Sequence, residues 1–152
     1  MARKSALPML AGIVFGLPLA ALPQVANPIA GSVKRITGEA VLRRGADRMP
    51  VKEGMHILPH DVLETGAGSS LGLILQDGTR VAMGANTSLE IDTFLYEPSA
   101  GKLQMLLRLV RGVMVYVSGK MAQFSPGSVK VETPVGVLGL RGTEFAVSLE
   151  GH

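Results

Sequence analysis

His56, His60 and Asp61 fall close together in the stretch "MHILPHD". Two imidazoles and a carboxylate are donor types that suit a borderline divalent cation such as zinc. Binding would require the three side chains to converge on one point. Leu58-Pro59 lies between the histidines, and on a strand-and-turn path nothing in the spacing forces that convergence. The expectation is therefore no metal and no other cofactor, with a metal or small-ligand site at His56, His60 and Asp61 as the lesser reading.

Asp77-Gly78-Thr79 holds the residues of an aspartic-protease loop in scrambled order. That chemistry sets a hydroxyl directly after the aspartate and needs two such loops face to face. Ser69, Ser70 and Ser88 have no histidine-centred motif around them, and the chain lacks a G-x-S-x-G elbow, a phosphate loop, a dinucleotide fingerprint and a zincin helix. With no cysteine there is also no thiol nucleophile, thiolate zinc site or disulfide. These residues point away from an enzyme, and no catalytic residue is assigned.

A lone arginine interrupts an apolar run at Arg141-Gly142-Thr143. Gly142 can take a backbone conformation closed to other residues, and Thr143 can hydrogen-bond a neighbouring backbone group. Arg141 would then sit at a strand corner, its fork on a carboxylate or carbonyls and its stem over apolar surface. Phe94, Tyr96 and Phe124 lie in the irregular stretches "DTFLYEPSAGK" and "GKMAQFSPGS". Their expected role is to close the ends of a core; Arg141, Tyr96 and Phe124 are also the candidates for contact with a partner.

The elements that would carry these residues are strands. From Val33 onward apolar residues alternate at period two between Gly-containing turns. The clearest hairpin has arms at about 71–76 and 79–83, joined by Asp77-Gly78, a pair that favours a type I′ turn with positive φ at both positions. In "GKLQMLLRLVRGVMVYVSG", Leu103, Met105, Leu107 and Leu109 share a face. Gly112 breaks that run, and Val113, Val115 and Val117 resume the alternation. Period two fits better than a helix here, and the nearest helix candidate anywhere after residue 30 is Met105–Val110. About ten short strands with Gly-rich turns give an all-β domain, as a two-sheet sandwich, a roll or a short wound solenoid.

The N-terminus supplies the compartment. "MARKSALPMLAGIVFGLPLAALPQVA" runs from basic residues through an apolar stretch to small residues, the order of a signal peptide over 1–26. Pro8, Pro18 and Pro23 interrupt the apolar run, so an uncleaved inner-membrane anchor is the lesser reading. Residues 27–37 form a linker and first extended segment. The formal charge of +3 includes Arg3 and Lys4. Without them the basic and acidic residues nearly balance, and no like-charge run exists to track phosphates, so nucleic acid is not an expected partner.

The ordered set "GEAVLRRG", "VKEGMHILPHDVLETGAGSSLGLILQDGTRVAMGANTSLEI", "LVRGVMVYV" and "VKVETPVGVLGLRGTEFAV" resembles the FecR-like domain family over about residues 38–149. The matching positions are Gly54, Asp61, Thr65-Gly66, Asp77-Gly78-Thr79, Ser88, Gly112, Thr133-Pro134, and Arg141-Gly142-Thr143 with Phe145 and Val147. The resemblance implies structural turn roles for Asp61, Gly66, Asp77, Gly78, Arg141, Gly142, Thr143 and Phe145. It also implies a signalling module. The best-known members of that family are single-span regulators that pass a signal from an outer-membrane transporter to a cytoplasmic sigma factor. No cytoplasmic domain precedes the apolar segment here, so the expectation is a stand-alone periplasmic or secreted domain. It would bind an envelope protein through a sheet edge such as 143–149. A self-associating structural or adhesive role is the alternative.

Overall fold

The computed structural model describes residues 12, 13, 16, 18, 29–141 and 144–149. The proposed leader lies almost wholly outside the described residues, as do Gly142 and Thr143. Among the described residues, no helix is long and apolar enough to cross a membrane.

The chain is all-β, as its alternation predicts. Twelve strands form one sheet, curled into a half-barrel around a single core. They are β1 (Gly31–Thr37), β2 (Ala40–Arg44), β3 (Asp47–Pro50), β4 (His56–Ile57), β5 (Val62–Thr65), β6 (Ser70–Leu75), β7 (Arg80–Met83), β8 (Ser88–Glu97), β9 (Lys102–Val117), β10 (Val129–Thr133), β11 (Gly136–Leu140) and β12 (Glu144–Leu149). Among the described residues, a 3-10 turn (Pro98–Ala100) and one short α-helix, α1 (Lys120–Phe124), interrupt them. The principal path runs β3-β2-β5-β8-β9-β7-β6-β1-β4. Every pairing is antiparallel except β9 with β10. The first extended segment, β1, is an interior strand held between β4 and β6.

Strand β9 organises the sheet. At 16 residues it is long where short strands were expected, because Gly112 bends it without ending it. Its first half pairs β8 and β10, and its second half pairs β7 and β12. Gly112 has φ +93°, a conformation costly for any residue with a Cβ. The pairing register with β8 also slips beside it, between Ser88 and Leu89. The combined kink changes which side chains face inward. Met105, Leu107 and Leu109 are buried before it, and Met114 and Tyr116 after it. Val113, Val115 and Val117 therefore face outward, on the side of the strand opposite to the buried Met114 and Tyr116.

The β6–β7 hairpin also differs from its expected form. Gly78 has φ +84°, but Asp77 is not in the left-handed region. The Gly78 N–H donates to Leu75 O (3.0 Å) and the Leu75 N–H to Thr79 O (2.8 Å), so a three-residue loop replaces the type I′ turn. Asp77 keeps ordinary φ because its carboxylate is needed inside the fold, as described below. Phe94 and Tyr96 lie in β8 and pack with the core, so they are strand residues and not loop residues.

Candidate functional site

Asp61 is fully buried and belongs to an ion pair between elements. Arg44, at the end of β2, donates from Nε to Oδ1 (2.8 Å) and from Nη2 to Oδ2 (2.7 Å), while the Leu58 N–H donates to Oδ2 (2.8 Å). This fork-on-carboxylate geometry is the strong form of the pair. It raises the Arg44 pKa above its ordinary value, chiefly through the hydrogen bonds to Asp61. Arg44 Nη2 also donates to His56 O (3.1 Å). At the turn before β5, Asp61 accepts the Leu58 N–H. The sequence reading missed Arg44, which stands 17 positions away on another strand.

The three residues of the lesser, metal-binding reading are not brought together among the described residues. The Asp61 oxygens are taken by Arg44 and Leu58, and His56 is an exposed residue of β4. His60, at φ +73°, instead lies with Glu90 and Asp92, whose ligand-type atoms fall within 4.8 Å of one another. Arg108 already answers those two carboxylates. Its Nη1 is 3.0 Å from Glu90 Oε2 and 3.1 Å from Asp92 Oδ2, and its Nη2 is 3.4 Å from Glu132 Oε2. The cluster is a surface charge network across β8, β9 and β10, and it raises the pKa of Arg108, first through the hydrogen bond to Glu90.

Asp77 is also buried, and it anchors α1. Its carboxylate accepts the Thr79 N–H (3.0 Å), the Thr79 hydroxyl (2.8 Å) and the Met121 N–H (3.2 Å), and its backbone oxygen accepts the Lys120 N–H (2.8 Å). Thr79 Oγ1 accepts the Gly119 N–H at 3.2 Å. The residues of this turn thus fix a distant corner of the fold. The signal was the resemblance, since hairpin chemistry alone predicts a solvent-facing aspartate. Gly66 accepts at its carbonyl from Ser69 (3.3 Å) and Asn86 (3.2 Å), joining two turns.

Phe145 lies in β12 opposite Tyr116, with ring centroids 5.1 Å apart and planes tilted by 32°. Phe145, Val147 and Leu149 pack against the core, while Glu144, Ala146 and Ser148 face solvent. Arg141 is exposed between β11 and β12, and among the described residues no carboxylate is paired with it. Phe124, at the end of α1, is also exposed and lines a shallow depression with Pro98, Gly101, Leu103 and Ser125. Arg141, Tyr96 and Phe124 do not form one patch by any contact on these elements.

Four strands have an unpaired side among the described residues: β3 and β4 at the ends of the principal path, and β11 and β12 off it. β12 pairs only β9, and β11 pairs only β10. Such edges present free backbone donors and acceptors, which is how extended partners are captured. Beside β12, the outer face of the sheet forms an open groove of about 520 Å³. Its floor is Ile74, Ala82, Val115 and Val117, with Lys34, Arg35 and Arg80 on the rim.

The described residues form a curled all-β domain with a buried ion-paired turn at Asp61 and open strand edges. The comparison with known families agrees on the class: residues 61–152 match the family model "FecR protein", and the chain belongs to that family. The FecR domain is a signalling-related module, from a regulatory family. The match begins at Asp61, so β1–β4 complete the sheet from outside it. No curated protein and no solved structure matches the chain.

Proposed function

We propose that this chain is an exported, non-enzymatic FecR module that binds an envelope protein by accepting a strand at the open edge of β12. The carrying observation is that β12 is tied into the core on one side, through Phe145 on Tyr116, and among the described residues pairs nothing on the other. A rigid edge loses little entropy when it docks an extended segment. Export is supported by the basic-then-apolar order of the N-terminal residues.

A photo-crosslinking residue at Ala146, compared with one at Arg48 on the opposite edge strand β3, tests the reading in cells. The expected result is one discrete adduct with an envelope protein from position 146 and none from position 48. Absence of any adduct along β12, or equal labelling from both edges, ends the reading. The intact mass of the protein from an osmotic-shock fraction tests the export step separately.

A further inference from the structure

Another open edge, β11, differs in kind from β12. Residues 133–140, "TPVGVLGL", carry no charge, and β11 exposes apolar side chains on both faces. Val135, Val137 and Leu138 are 87%, 61% and 41% exposed. Edge strands are normally blunted by lysine, by proline within the strand or by a covering loop, and β11 has none of these among the described residues.

We infer that β11 is a self-pairing strand, joining two copies of this chain antiparallel about a two-fold axis at Leu138. The register follows from the β10–β11 hairpin. There Glu132 lies opposite Val137, Val131 opposite Leu138 and Lys130 opposite Gly139. With the axis at Leu138, Val137 faces Gly139 of the second copy and Gly136 faces its Leu140, so these two bulky side chains each meet a glycine and only Leu138 meets its own copy. The same register lines up Glu132, Val137, then Gly139 and Lys130 of the second copy, ending the row in opposite charges. Moving the axis to Val137 would put Glu132 in line with its own copy. Moving it to Gly139 would do the same for Lys130. Three strand spacings, about 14 Å, separate those like charges, so they bias the register only weakly and the core row described next carries the choice.

A second observation selects this occupant. The row Ile91, Leu107, Val131, Leu138 crosses β8, β9, β10 and β11 on the core face. Its first three members are 0% exposed, and burial stops at Leu138. A second Leu138 extends that row by the residue type already at its end, as an isologous two-fold contact requires. The pairing leaves β12 free and does not depend on the partner reading above. One strand pair lies below the area of a standard interface, about 1,600 Å², so the dimer is a weak one that grows with concentration.

The chain has no cysteine, which makes the test clean. In the proposed register the two Cα atoms of residue 138 lie about 4.5–5.5 Å apart, within the range a disulfide spans. Full-length Leu138→Cys should form a covalent dimer under mild oxidation, much faster than Val135→Cys at the hairpin tip or Ser148→Cys on β12. Wild-type protein should show a concentration-dependent dimer in sedimentation, and Val137→Lys should abolish it without lowering the melting temperature. A wild-type monomer at every concentration overturns the inference. So does cross-linking at 138 no faster than at 135 or 148, or a dimer unaffected by Val137→Lys.

Discussion

Gly112 crosses directly over Thr87: a Cβ on the glycine would lie 2.5 Å from the threonine Cα. Thr87 is fully buried, and its hydroxyl accepts the Val113 N–H at 3.0 Å. Its own N–H donates to Thr65 Oγ1 (2.9 Å), which in turn donates to Gly84 O (2.6 Å). Two buried threonines therefore pin the bend at which β9 passes from one half of the sheet to the other. Gly112→Ala meets both a backbone clash and a positive φ. Its expected cost is about 3 kcal/mol or more, read as a fall in the urea midpoint. A variant as stable as wild type would show that the bend is not fixed by this contact.

The Arg44–Asp61 pair predicts an asymmetric double-mutant cycle. Arg44→Ala leaves a buried carboxylate with only the Leu58 N–H, and the expected loss is about 2–4 kcal/mol, moderated because Arg44 is itself partly exposed. Asp61→Ala should cost less than that, since the freed guanidinium can turn to water. The double mutant should be little worse than Arg44→Ala alone, because the residues act as one unit. Additive losses in chemical denaturation would contradict a direct pair.

At the other corner, Gly119 lies against the β6–β7 loop so closely that a Cβ would stand 2.5 Å from Asp77 O and 2.8 Å from the Gly78 carbonyl carbon. That proximity lets Asp77 hold the first turn of α1. Asp77→Ala removes an acceptor from two backbone N–H groups and a hydroxyl. It should destabilise the fold by about 2–4 kcal/mol, and amide exchange should rise at Met121 before the central strands. Unchanged protection at Met121 would refute the anchoring role.

Period two made the all-β class legible, including the strand assignment of 105–110, because alternation is a local property of the chain. Three things were hidden because they are relations between distant positions. The inward parity of β9 changes at Gly112, so a Val-alternating stretch faces solvent, and only the register against β8 reveals it. Arg44 and Asp61 meet through the β2–β5 pairing, which composition cannot give. Helix α1 is too short to show a 3.6-residue period and exists because Asp77 and Thr79 accept its first N–H groups. The family's turn positions were readable as an ordered set. The open edges were not, since an edge is defined by what fails to pair.

Tyr116 supplies a pH dependence with a definite sign. It is fully buried beneath Phe145, and burial pushes its phenol above the ordinary value of 10.0, with the charge of Asp77 acting in the same direction. Below pH 10 the phenol is neutral whether the chain is folded or not, so it adds no slope. Above pH 10 the unfolded chain loses this proton first, so the unfolded state binds fewer protons and stability falls as pH rises. The fall continues, by at most about 1.4 kcal/mol per pH unit, until the folded pKa is passed. Lysines titrate over the same range, so the informative quantity is the difference between wild type and Tyr116→Phe. The melting temperature of wild type should drop more steeply between pH 9.5 and 11, about the phenol's ordinary range, than that of the variant. Parallel curves would show that the phenol already ionises inside the fold, and the tight seating of β12 on β9 would have to be given up.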